Sequence, residues 1–230
     1  MNLIMATIND FNPEFKTHKK AKRIKLRYDA INDRAIITLP RFTSKRSALK
    51  FATSHVEWLK EQRAKTPKPI YLIDGSHISI LGERKEIVHD PSLPARINII
   101  ADQIIVGGTK EGFSVRLENY LKKEARKTIE PLAHKMAKTI NKKFSRIQIR
   151  DTKSRWGSCS SSGNLSFSWR LIMTPPQVLE YVVAHEISHL EEMNHSPQFW
   201  DIVDQLVPNA KTSRKWLKND GQSLMLILTQ

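Results

Sequence analysis

One cysteine, Cys159, is all that the 230 residues contain, so no intramolecular disulfide can close and packing and hydrogen bonds must hold the fold. No run approaches the eighteen or more apolar residues of a membrane span. Met1 to Met5 also lacks the charged segment followed by an apolar one that marks a secretory leader. Together these absences predict a soluble chain, without membrane attachment, that works in the cytoplasm. One further absence is local. Between Leu171 and Ala210 there is no Lys or Arg, although the chain carries 38 of them against 23 acids for a net charge of +15. The same stretch holds six acids, Glu180, Glu186, Glu191, Glu192, Asp201 and Asp204. An acidic island in a basic chain suits a bound dication.

Within the island, three of the chain's eight histidines fall in the eleven residues His185-Glu186-Ile187-Ser188-His189-Leu190-Glu191-Glu192-Met193-Asn194-His195. On an α-helix, positions i and i+4 lie one above the other on one face, so His185 and His189 can offer their imidazoles to a single ion. Glu186 is turned from His185 by about 100°, which keeps it out of the ligand set yet close enough to take a proton from a water at the ion. His-Glu-x-x-His on a helix therefore reads as two zinc ligands and a general base. A catalytic zinc needs a third protein ligand and one open position. His195 can supply that ligand if the helix stops and the chain turns back, and Asn194 suits such a turn because Asn tolerates the left-handed conformation. Ser196-Pro197 can then open the next helix. Asp201 and Asp204 on that helix are reserve ligands, or partners for the histidine N–H groups. One zinc per chain is the expected stoichiometry.

Upstream, Thr174-Pro175-Pro176-Gln177 has the form of a capping box with proline in the first turn. Val178, Leu179, Val182, Val183, Ile187 and Leu190 continue as a wide apolar stripe. The motif helix should run from near Pro175 to near Met193 and be buried.

The fold class reads as α+β, and the pattern changes period near residues 107–115. Residues 1–110 form a small β-rich module with one helix. Strands are expected at Ile24 to Ala30 and Ala35 to Leu39, around a turn at Asn32-Asp33, and later at Ile78–Leu81, Glu86–His89, Ile97–Ile100 and Ile104–Val106. The helix starts after Ser44, carries Ala48, Ala52, Val56 and Leu59, and ends at Thr66-Pro67. Residues 111–230 open on a long helix marked by Leu117, Leu121, Ala125, Ile129 and Met136, with a bend expected at Pro131. A strand at Ile147–Arg150 and a hairpin of Arg155–Cys159 with Leu165–Arg170 lead into the motif helix. Two more helices follow, at Phe199–Val207 and Lys211–Asp220.

Basic charge is spread over both parts, net +9 in residues 1–110 and +6 in residues 111–230, with the densest run from Lys16 to Arg27. Such a surface attracts nucleic acid weakly and without sequence preference. Most charge runs are solvated strands or helices, and that reading comes first here.

Four segments together, Arg155-Trp156-Gly157-Ser158-Cys159-Ser160, Leu165-Ser166-Phe167-Ser168-Trp169-Arg170-Leu171, His185-Glu186-Ile187-Ser188-His189-Leu190 and Asn194-His195-Ser196-Pro197-Gln198-Phe199-Trp200, resemble the YgjP-like family of zinc metallopeptidases, relatives of the broader zincin group. The resemblance implies a zincin-like metallohydrolase domain in residues 111–230. It also implies zinc ligands at His185, His189 and His195, with Glu186 as base. The same ligand spacing occurs in metzincins, but those carry glycine where this chain has Glu192. In zincins the strand before the motif helix borders the cleft, so a peptide can add to its edge and Arg155 can bind a substrate anion or steady developing negative charge. The plainer reading of this strand makes Trp156 and Cys159 core residues, Gly157 a bulge and Arg155 the partner of Asp151.

The expected activity is zinc-dependent hydrolysis of peptides. One alternative keeps the metal and takes a small anionic substrate, as a nucleotide pyrophosphatase or phosphohydrolase would. Another is a nucleic-acid-associated protease or binding module, in which closed four-ligand coordination would mark a structural metal.

Overall fold

The computed structural model describes residues 7–229; residues 1–6 and 230, and with them the stretch that shows no leader pattern, lie outside the described residues. The chain falls into two compact units that divide between Ile70 and Tyr71.

In the first unit, β1 (Glu14–Thr17), β2 (Lys25–Asp29) and β3 (Arg34–Leu39) form a sheet in the order β1-β3-β2, with β1 parallel and β2 antiparallel to β3. Asp33 reverses the chain at a φ of 45°, a conformation that Asn and Asp tolerate better than most residues. The helix expected after Ser44 is two helices, α1 (Lys45–Thr53) and α2 (Val56–Lys65). Ser44 does cap the first by accepting the Ser47 N–H at 3.1 Å. The break comes where the Ser54 hydroxyl and the His55 ring both bond the Phe51 carbonyl, competing for the acceptor a continuous ladder would use. Phe11, Ile37, Ala48, Ala52 and Leu59 fill the core. The seven cations of the Lys16 to Arg27 run are exposed, on β1, β2 and their link. They form a solvated strand and its lead-in.

β4 (Ile70–Leu72) begins at the division. In the second unit β5 (His77–Ile80), β6 (Glu83–Asp90), β7 (Ile97–Ile100) and β8 (Gln103–Gly107) form a sheet in the order β5-β6-β8-β7. Helix α3 (Phe113–Thr139) continues through Pro131 and buries Phe113, Leu117, Leu121, Ala125, Ile129, Ala133 and Ala137, a residue every fourth position. Ile87, Ile104 and Val106 of the sheet share one core with that stripe. This is why the units divide at Ile70–Tyr71 and not at residue 110, where the period changes. A change of period marks a new element, whereas a division between units requires a gap in the core.

After α3 come β9 (Arg146–Arg150), β10 (Gly157–Cys159) and β11 (Asn164–Ser168), in the order β10-β11-β9, with β10 antiparallel and β9 parallel to β11. A 3-10 turn at Trp169–Met173 leads to α4 (Pro176–Ser188), followed by α5 (Pro197–Leu206), α6 (Ala210–Asn219), α7 (Gly221–Leu224) and β12 (Ile227–Thr229). Mixed helices and small sheets of both orientations make the class α+β. Among the described residues no helix is long and apolar enough to cross a membrane.

A buried cation ties the end of the chain to this scaffold. Arg170 is 1% exposed. Its Nε donates to the Ile227 carbonyl at 3.0 Å, and a second guanidinium nitrogen pairs with Asp151, which also accepts the Trp169 Nε1–H at 3.1 Å. Burial alone would raise the Asp151 carboxyl, but the hydrogen bond and charge of Arg170, with the Trp169 N–H, outweigh it and hold it below its ordinary value. Arg170→Met should therefore cost about 2–4 kcal/mol in urea unfolding, since it orphans a buried carbonyl and breaks a buried pair. Because the native carboxyl is the stronger acid, its contribution is fully present above about pH 4 and fades as pH falls through the native value. Asp151→Asn should make the acid limb of stability against pH shallower.

Candidate metal centre

Helix α4 buries Val178, Leu179, Val182, Val183, Ala184 and Ile187, and its polar residues Glu186 and Ser188 are buried with them. The Thr174 capping box does not form. The Thr174 hydroxyl donates instead to the Leu171 carbonyl at 2.8 Å, and Pro175 takes the cap position. The helix also stops at Ser188, short of Met193, with His189 as its cap. Glu191 and Glu192 N–H groups both turn back to the Ser188 carbonyl, and the Asn194 N–H bonds Glu192 Oε1 at 3.3 Å. These stacked turns reverse the chain, and Asn194 is not among the residues with positive φ. Ser196 then caps α5 by accepting the Phe199 N–H at 3.3 Å, with Pro197 in the first turn.

The result brings His185, His189 and His195 together, each offering one ligand atom within 4.8 Å of the others. The Nε2 atoms of His185 and His195 face each other at 3.1 Å. A tetrahedral ion with bonds of about 2.0–2.1 Å holds its nitrogens about 3.3 Å apart, so the spacing fits. His189 Nδ1 lies 3.0 Å from the Glu192 carbonyl, which requires the proton on Nδ1 and frees Nε2 to ligate. His185 Nδ1 faces the Tyr181 hydroxyl at 3.5 Å. Burial, then the neighbouring His189, His195 and Arg214 charges, push His185 down to about 4. Burial also lowers His189. Both are thus neutral near pH 7, the form that binds a metal. Among the described residues no fourth His, Cys, Asp or Glu joins the group.

Glu186 stays outside this group, as the helical turn requires. It is 6% exposed, and burial pushes it up to about 7 against the lowering influence of the Arg155 charge and the Cys159 backbone N–H. A protein-family model for the YgjP-like metallopeptidase domain matches residues 22–220. The chain belongs to that family. A solved structure, the metallopeptidase zymogen abylysin of Pyrococcus abyssi, is similar at 22% identity over 40% of this chain and 94% of that one, with a TM-score of 0.36. No curated protein matches.

Around the YgjP-like histidines, the structure adds residues that spacing alone does not reveal. Phe199 is fully buried, with its ring centroid 4.9, 4.6 and 4.7 Å from those of His185, His189 and His195. It is an apolar floor that limits all three rotamers. The sequence marks it as part of the Asn194 to Trp200 segment and of the apolar side of the next helix, but not as a contact of all three rings. Arg214 on α6 stacks 4.3 Å over the Trp200 ring, which lies 5.8 Å from His195. Asp201 and Asp204 are exposed and take no part in the histidine group. Asp151 is engaged by Arg170, so the expected Arg155–Asp151 pair does not form and Arg155 stays exposed. Burial and the Glu186 charge push the Cys159 thiol up to about 11, leaving it protonated and a poor nucleophile.

Gly157 is not a bulge, since it pairs in register with Phe167. A Cβ there would stand 2.5 Å from Glu186 Cγ and 2.6 Å from Oε1. The glycine is therefore what lets the carboxylate lie against β10. Gly157→Ala should displace Glu186 and destabilise by about 1–3 kcal/mol. Combining it with Glu186→Ala should recover more than about 1 kcal/mol in a double-mutant cycle, and additive losses would mean the two do not collide.

Proposed function

We propose that this YgjP-like chain is a zinc-dependent peptidase that binds one zinc through His185, His189 and His195 and uses Glu186 as general base. The observation that carries the reading is the convergence of three imidazoles, with a buried carboxylate next to His185 in the chain that is not one of them. A zinc ion held by His185, His189 and His195 would supply Lewis-acid polarisation of a carbonyl and acidify a water molecule. Glu186, poised near neutrality by burial, takes the proton of the attacking water and returns it to the leaving amine. The Arg155 guanidinium, near enough to act on Glu186, steadies negative charge that develops on the substrate or holds a substrate anion.

The edge of β10 supports an extended peptide as substrate. On one side the Ser168 N–H bonds the Trp156 carbonyl at 2.8 Å, and the Ser160 N–H bonds the Asn164 carbonyl at 3.0 Å. Alternation then turns the N–H and C=O groups of Gly157 and Cys159 to the other side, which no strand covers and where the Cys159 N–H meets Glu186. A peptide backbone can hydrogen-bond there and pass the reacting centre.

Purified protein should contain about one zinc per chain, and His189→Ala should lose most of it. Glu186→Gln should keep its zinc yet hydrolyse an unfolded protein about 10²-fold more slowly. Zinc lost with Glu186 would make that residue a ligand. Phosphate release from nucleoside triphosphates, with no peptide cleaved, would overturn the peptidase reading in favour of phosphohydrolysis.

A further inference from the structure

The outer face of the β10-β11-β9 sheet is polar and basic. Alternation along β9 turns Ile147 and Ile149 to the core and Arg146, Gln148 and Arg150 outward. Register sets Gln148 beside Ser166 and Ser166 beside Ser158, so the same face continues from β9 to the open edge of β10. With Arg155 these side chains line a groove of about 340 Å³ that contains three arginines and no carboxylate.

Ion pairs hold some of the arginines elsewhere in the chain. Arg34 pairs with Glu14 and Asp29, Arg63 with Asp33, and Arg126 with Glu130. Among the described residues Arg146, Arg150 and Arg155 have no such partner. Arg150 donates only to Gln148 Oε1, at 3.0 Å, and the nearby Asp151 is held by Arg170. Guanidinium groups gathered on one face repel each other until an anion joins them, and their forked donors match carboxylates in pairs. Gly157 and Cys159 belong both to this groove and to the strand that touches Glu186. The groove therefore adjoins the reacting centre.

We propose that this groove is a specificity subsite for acidic side chains, so that the preferred substrates are extended peptides carrying Asp or Glu in the segment beside the scissile bond. Arg155 meets the acid next to the edge of β10, and Arg146 and Arg150 meet those that lie farther across the sheet. The inference rests on the peptidase reading for its substrate, but its test does not need turnover.

The test is fluorescence anisotropy with full-length, metal-loaded Glu186→Gln and two labelled peptides of equal length, one rich in glutamate and the other with glutamine in its place. The glutamate peptide should bind about tenfold more tightly or better at low salt, with an advantage that shrinks as salt is added. Arg146→Ala with Arg150→Ala should remove most of that advantage, and Arg150→Glu should shift preference toward a lysine-bearing peptide; circular dichroism of each variant checks that it is folded. Equal binding of the two peptides, or an advantage that survives the double substitution, would overturn the proposal. So would a single-stranded oligonucleotide of matched charge binding as tightly through the same arginines, which would mark a phosphate surface. If the glutamate preference holds while wild-type protein cleaves neither peptide, the subsite stands and the peptidase reading alone fails.

Discussion

Glu186 can lie buried against β10 only because Gly157 leaves space for it. That contact sets how closely α4 approaches β10, and much of the local chemistry follows from the approach. It removes water from the carboxylate and lifts it toward neutrality, and it brings the carboxylate beside the Cys159 backbone N–H. The same desolvation keeps His185 neutral. A helix in this position must be buried along much of its length, as α4 is. Its few polar groups then find partners inside the protein, as Ser188 does by donating to the Ala184 carbonyl at 2.8 Å.

The histidines are held by different means. His185 is fixed by its place on the helix, whereas His189 caps the helix and is oriented by the Glu192 carbonyl. His195 arrives through a reversal that returns the chain to the helix end. Phe199 touches all three rings and comes from the next helix, whose start is set by Ser196 and Pro197. A short segment thus supplies the third imidazole, the turn that places it and the apolar floor beneath it. Local hydrogen bonds carry most of this arrangement, which lets it persist at a helix end.

Strand β10 separates two environments. Gly157 and Cys159 meet Glu186 in a dry interior, and Ser158 belongs to the polar face shared with Arg146, Arg150 and Arg155. The period of two in a strand makes this possible within three residues. One edge can therefore meet the backbone of a bound chain while its two faces meet different side chains.

By itself the sequence determined what is local. Helical spacing put His185 and His189 on one face and turned Glu186 away, and Ser196-Pro197 marked the start of α5, because such patterns depend on a few neighbouring residues. The α+β class and most strands were legible for the same reason. The end of α4 was less so, since turns centred on the Ser188 carbonyl displaced both the longer helix and the left-handed Asn194. Only the tertiary structure decided that Gly157 makes room for Glu186, that Asp151 belongs to Arg170 and not to Arg155, and that the residue 77–107 sheet shares its core with α3. Each of these depends on which surfaces meet across long stretches of chain, and periodicity records that a residue is buried without saying against what.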